Sequence, residues 1–348
     1  MVKKLRIKNK KTFTVAIAVL TLLVLIIAVV ISLAVLGRPI DKSSKDTVIV
    51  NIKEGSGTAQ IAAVLHENRL IRSEMVFKIR SKISFYDGKY KAGDYALSKA
   101  MSMKEIAQTI ISGRSAGQSF QTIEGETIKQ TAKRLQKQGI VSEKEFLKEA
   151  TKGDFDYRFM DQLPAGENRL EGFLFPNMYE VSVNADAHEV IDTMLAEFDS
   201  TVTDDYYKKA KKMGYSMYEM ITLASIVERE AVENEDRPKI ASVLYNRLEK
   251  NIKLQCCSTV QYILGEQKPV LSNADTRIES PYNTYIIDGL PKGPICSPGK
   301  ASIDAVFEPA DTDYLYFVLK SKDSTSHNFS KNYEEFIKDK NKYAESFK

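Results

Sequence analysis

Residues 53–80, "KEGSGTAQIAAVLHENRLIRSEMVFKIR", return in altered form at 123–148 as "IEGETIKQTAKRLQKQGIVSEKEFLK". Glu54-Gly55 answers to Glu124-Gly125, and Ala62 and Leu65 to Ala132 and Leu135. Ile71-x-Ser73-Glu74 answers to Ile140-x-Ser142-Glu143. In the first copy the glycines and Thr58 suit a turn and a helix start, and Ile61, Val64 and Leu65 follow helical spacing. The β-like run "TVIVNI" (47–52) precedes it. The pattern predicts small strand–helix–helix units and an α+β fold class. A pair of docking modules for an extended polymer and an old duplication that only packs are both open readings of the repeat.

Outward from the first copy lies an apolar segment. "MVKKLRIKNKK" carries six basic residues and no acid, and Phe13 to Leu36 is then free of charge. A helix of this length, at about 1.5 Å per residue, outruns a hydrocarbon core of about 30 Å. A cleaved signal peptide would have a shorter apolar region, of about 7–15 residues. The sequence therefore predicts a cytoplasmic basic tail (1–12), a single transmembrane helix (13–36) and a short polar linker (37–47). The basic cluster should stay inside and the rest outside. The bilayer is the first expected partner.

The 348 residues are 43% hydrophobic and 28% charged, enough for two or three globular units. Net charge is +4, and removing the six N-terminal cations leaves −2 for the exported part. That argues against a nucleic-acid partner, which would need a basic face. Cys256, Cys257 and Cys296 make an odd count and no disulfide framework. They are read as buried small residues, with a bridge from Cys296 to one of the others as the alternative.

The first module is placed at 48–115, closed by a strand pair and a helix capped at Ser102 and ended at Gly113. Residues 116–348 form the larger domain, with 116–155 a second small module within it. Long helices are expected around 186–202, 217–233 and over "RPKIASVLYNRLEKN" with Pro238 near its start, a buried strand at "YLYFVLK", and a polar helix over the last twenty residues.

Within the second helix lies "TLASIVEREA", residues 222–231. Met220, Leu223, Ala224, Val227 and Ala231 form an apolar stripe, and Glu228 sits at its margin beside small side chains. It is either a flanking surface glutamate or a carboxyl group partly desolvated for acid–base chemistry. Arg229 and Glu233 read as a surface pair, and Glu230, Glu235 and Asp236 as solvated. No H-E-x-x-H or C-x-x-C occurs, and His66, His188 and His327 are scattered, so no metal is expected. No P-loop or Rossmann fingerprint supports a nucleotide cofactor. "SPGK" (297–300) matches S-x-x-K without a K-T-G partner and is read as chance. Loops at 170–180, 254–262, 280–285, 289–299 and 327–329 mix Tyr, Phe, Asn, Gln and Gly. Such mixtures suit sugar binding, and equally suit turns.

Five stretches occur in order: "LEGFLFPNMY", "LASIVEREA", "VLYNRLEKNIKLQ…TVQY", "SPYNTY…GLPKGPI…PG" and "YLYFV…HNF". In these the chain resembles the endolytic murein transglycosylase (YceG-like) family over about 48–340. The resemblance implies that Glu228 is the catalytic glutamate and that 48–115 is a LysM-like module ahead of a mixed α+β catalytic domain. Its substrate would be the peptidoglycan glycan strand, cut without water, metal or cofactor. Glu171, Gln255, Asn283, Tyr285 and Asn246 are expected to position the sugar. Peptidoglycan synthases are natural partners. Two departures each remove an expected carboxylate, at Asn177 and in Gln255-Cys256-Cys257-Ser258-Thr259. A muramidase-type hydrolase and a non-catalytic wall anchor are the rival readings.

Overall fold

A computed structural model describes residues 10–113, 116–268 and 270–347. Most of the basic N-terminal tail (1–9) lies outside the described residues. The chain divides into two compact units, one of residues 1–118 with 182–184, the other of 119–181 with 185–348.

The first unit begins with α1 (Lys10–Leu36), a helix of 27 residues and therefore about 40 Å long. Its segment Ile17–Leu36 is long and apolar enough to cross a membrane. Leu20 and Leu25 are 64% and 58% exposed, which in water would be unfavourable. The segment that follows is not a loose linker. Arg72 donates to the carbonyls of Arg38, Pro39 and Ile40 at 2.6, 2.8 and 3.1 Å. Then come β1 (Thr47–Ile52), α2 (Thr58–Glu67), α3 (Glu74–Ile83), β2 (Gly93–Ser98) and α4 (Met103–Ser112). β1 and β2 pair antiparallel, Val50 opposite Tyr95. The expected strand pair around 90–98 is thus one strand, whose partner is β1. Ile61, Leu65, Phe77, Tyr95, Leu97 and Ile106 form the core under this ribbon. α4 starts at Ser102, whose side chain and Glu105 cap each other, and ends at left-handed Gly113.

The larger unit is mainly helical. β3 (Gly117–Gln121) pairs with β4 (Met178–Ser182) on either side of α5 (Ile128–Lys137) and α6 (Glu143–Lys152). α7 (Ala187–Thr201), α8 (Asp204–Met213), α9 (Met217–Glu230), α10 (Arg237–Glu249), α11 (Cys257–Leu264) and α12 (Lys300–Phe307) follow. β5 (Tyr316–Leu319), β6 (His327–Ser330) and α13 (Tyr333–Glu345) complete it. β5 and β6 are antiparallel, and β5 is half-buried rather than the fully buried strand its sequence suggests. The second repeat does not stand as a module of its own. Its Ile128, Ala132, Leu135 and Phe146 join one core with α7, α9, α10 and α12.

α9 organises that core. Ser216 and Glu219 form its capping box, at 3.2 and 2.8 Å. From Met220 to Val227 every residue is buried, so the helix is covered on all faces rather than along one stripe. The helix ends when Ala231 turns extended. Glu228 is the first residue after the buried run and sits in the last turn.

Candidate active site

Glu228 leaves the buried helix into a polar notch, with its side chain 7% exposed. Its Oε2 accepts the backbone N–H of Gly299 at 3.0 Å, just before α12. It also accepts from Arg237, at 3.4 Å. Arg237 is itself buried and donates to Ser302 and, through Nε, to Asn234 at 3.1 Å. Residues 125 and 126 bond to Ser297 through Gly125 N–H to Ser297 O and Ser297 N–H to Glu126 O, both at 2.9 Å. This pairing brings Glu124 to Gly299. A side chain on Gly299 would place its Cβ 2.0 Å from Glu124 Oε1, so any larger residue there must push the Glu124 carboxylate aside. Glu124 was missed from sequence because it lies 104 residues from Glu228. Its one signal was membership of the repeated Glu-Gly pair.

A groove of about 500 Å³ runs alongside, lined by Glu171, Arg229, Asn168, Tyr262 and Tyr282 among others. Glu228 is not in its lining, but the next residue, Arg229, is. Glu171 is buried and accepts the Ile128 N–H at 2.9 Å and the Tyr262 hydroxyl at 3.1 Å. Burial pushes its carboxyl up to about 7, against the two hydrogen bonds and Lys129, which pull it down. Tyr262 and Tyr282 lie 5.0 Å apart, centroid to centroid. Tyr282 sits in a loop expected to bind sugar, whereas Tyr262 sits in the 254–262 stretch, which is largely helix α11 rather than the expected loop. Cys296 is buried close to both acids. Its thiol is pushed well up by burial, then by the Glu228 and Glu171 charges.

The other expected contacts sit elsewhere. Gln255, Asn283 and Tyr285 meet in one knot of loops. Gln255 N–H donates to Thr284 O at 3.0 Å, and its side-chain oxygen accepts from Arg247 at 3.4 Å. Asn283 is fully buried. Its amide nitrogen donates to the Thr276 and Ile278 carbonyls, and its oxygen accepts the Tyr285 N–H. That amide is spent on shaping the loop and offers nothing to a ligand. Tyr285 hydroxyl lies 3.1 Å from the Cys257 thiol. Asn246 donates to the Thr312 and Tyr314 carbonyls at 2.7 and 3.0 Å and holds the approach to β5.

Several surface readings fail because α9 ends at Glu230. Arg229 donates to Gly125 O at 3.2 Å rather than reaching Glu233. Glu230 closes the start of α11 by accepting from Ser258 N–H and Oγ at 3.2 and 2.6 Å. Asp236 is buried and accepts from His327. Cys256 and Cys296 are buried and free, whereas Cys257 is exposed and free, so its reading as a buried residue is wrong. Asn177, where a carboxylate was expected, donates to Glu197 at 2.8 Å. Lys300 of the S-x-x-K match binds Asp304. Among the described residues no His/Cys/Asp/Glu cluster could hold a metal ion.

The sequence matches the family model described as the YceG-like family over residues 50–342. The chain belongs to the YceG-like family. This YceG-like protein is 36% identical over 321 residues to an endolytic murein transglycosylase of Bacillus subtilis, covering 88% of each chain. It is 33% identical over 307 residues to the enzyme of the same name from Streptococcus pneumoniae strain D39. That match takes in 80% of this chain and 55% of the streptococcal one, so the chain spans about half the length of that relative. A crystal structure of a YceG-like protein from Listeria monocytogenes superposes with a TM-score of 0.58 at 33% identity, covering 85% of this chain and 99% of that one.

Proposed function

We propose that this YceG-like protein is a membrane-anchored lyase, an endolytic peptidoglycan lytic transglycosylase. It cleaves MurNAc–GlcNAc β-1,4 bonds inside nascent strands and leaves 1,6-anhydroMurNAc ends. The observation that carries the reading is the placement of Glu228, a carboxyl group at the mouth of the buried helix α9, in a chain whose relatives bear that enzyme name.

Ordinary glycosidases use two carboxylates, one to activate water or attack the sugar. Here one carboxyl suffices. Protonated Glu228 gives its proton to the leaving glycosidic oxygen as positive charge develops at C1. The carboxylate then takes the proton of the MurNAc 6-hydroxyl, whose oxygen closes on C1. One C–O bond breaks, one forms, and the proton returns to Glu228. The Gly299 N–H and Arg237 hold the carboxylate between the two transfers. The groove with Glu171, Tyr262 and Tyr282 is the sugar-binding face, aromatic rings packing on pyranose rings. Gln255 and Tyr285 shape the neighbouring loop.

α1 holds the enzyme at the bilayer with its N-terminus cytoplasmic. The β1–α2–α3–β2 unit serves as a LysM-like module that engages the strand near its site of synthesis. An anchored cutter of this kind sets strand length, and peptidoglycan synthases are its expected partners. The products test the reading. Mass spectrometry of peptidoglycan digested with residues 46–348 should find ends lighter by one water than hydrolysed ends. Reducing ends would make it a muramidase. Sacculus binding without cutting would make it a wall anchor.

A further inference from the structure

The mechanism above uses one carboxyl group, yet two meet at Gly299. Glu228 accepts the Gly299 N–H at 3.0 Å, and Glu124 Oε1 occupies the space where a Cβ of residue 299 would be. The chain around Glu124 is fixed from both sides. Gly125 and Glu126 pair with Ser297, and Arg229 donates to Gly125 O. Gly125 in turn lies against Glu228, its Cβ position 3.9 Å from Glu228 Cγ. Glu126 is taken by Arg134 in a two-pronged bond, so it does not share the notch. The Glu124 carboxylate accepts no hydrogen bond among the described residues, whereas Glu228 accepts two.

We propose that Glu124 is a positioning carboxyl for the Glu228 reaction: the two meet at Gly299 as a pair that shares one proton and keeps it ready for the leaving oxygen. The inference rests on the transglycosylase reading of Glu228. The groups facing the pair are Arg229 on α9, Arg237 on α10, the Gly299 N–H before α12 and the buried Cys296 thiol, which interacts with Glu228. Arg237 and the Gly299 N–H both donate to Glu228 Oε2. Glu124 is exposed at the rim of the notch, and what desolvation it has there, then the charge of Glu228, push its carboxyl up against the pull of Arg237. Glu228 already accepts two hydrogen bonds and Glu124 none among the described residues, so Glu124 is the partner free to take the proton, which passes to Glu228 as substrate closes the notch. After C1–O6 closure the 6-hydroxyl proton returns to the pair, so no proton is gained or lost.

Two like charges hold a shared proton to higher pH than either holds it alone. Glu124→Gln removes that help. The alkaline limb of the kcat/KM profile should move to lower pH by about one unit, with about tenfold less activity on that limb. Glu124→Asp should restore part of the shift. Gly299→Ala should reproduce it by pushing Glu124 away. A Glu124→Gln enzyme whose activity falls equally at every pH, or not at all, overturns the pair and leaves the Glu228 reading intact. Glu228→Gln, run in parallel, should be inactive at every pH, and cutting by that variant would overturn the reading beneath the pair.

Discussion

The Glu171 carboxylate accepts the backbone N–H of Ile128 at 2.9 Å, so a buried acid closes the start of α5. A helix N-terminus favours negative charge, but here burial outweighs it and the carboxyl rises from 4.5 to about 7. The folded value lies above the unfolded one, so between these two pH values the folded chain binds more protons. Stability should therefore fall as pH rises from about 4.5 to 7, by something of order 3 kcal/mol, and then level off. Glu171→Gln removes that slope. In urea titrations the variant should match the wild type near pH 4.5 and exceed it at pH 8. Parallel curves for the two proteins across that range would contradict the assignment.

Asp236 works in the opposite sense. It accepts the backbone N–H of His327 at 2.7 Å and lies 3.1 Å from the ring Nδ1. Burial alone would raise its carboxyl, but the His327 bonds and the nearby Lys239 hold it below 3.8. This contribution is present above the unfolded value and lost as pH falls through the lower folded one, in the region below about pH 4. Asp236→Ala leaves a buried N–H without its acceptor and should cost about 1–3 kcal/mol at neutral pH. Hydrogen exchange at His327 should speed up with it. Unchanged exchange there would show that β6 is held by other contacts.

Gly172 tests how the turn after Glu171 is built. Its φ is +87°, and a Cβ would lie 2.6 Å from Pro294 and 2.9 Å from Ile221. Gly172→Ala combines a left-handed backbone penalty with overpacking, together about 3 kcal/mol. Thermal unfolding should drop by several degrees. Because Glu171 precedes it, the pH slope attributed to Glu171 should weaken as well. An alanine variant as stable as the wild type would mean the loop adapts freely.

Local signals carried well from sequence to fold. The cap at Ser102, the terminal Gly113 and the helix with Pro238 near its start all rest on neighbours within a few residues. The repeat was legible too, though not that its second copy surrenders Ile128 and Leu135 to a larger core. Long-range placement was not legible. Met220 to Val227 contains Thr222 and Ser225, which blur the mark of a helix buried all round. Both turn their hydroxyls to carbonyls in their own helix, so burial is no penalty. Asn283 looked like a sugar ligand because an amide in a loop serves either role, and only the fold shows its bonds turned inward. Glu124, Arg237 and Gly299 could not be tied to Glu228 without the turn that joins residues 125–126 to Ser297.

The central claim is that the Glu228 carboxyl carries the proton of the cleavage step. The direct measurement is the rate of cutting of nascent glycan strands by Glu228→Gln, with circular dichroism to confirm that the helices are intact. An amide at 228 can still accept the Gly299 N–H, so the fold should survive. Loss of a proton carrier should lower the rate by at least about 10²-fold. A folded Glu228→Gln protein that cuts strands at close to the wild-type rate would contradict the account.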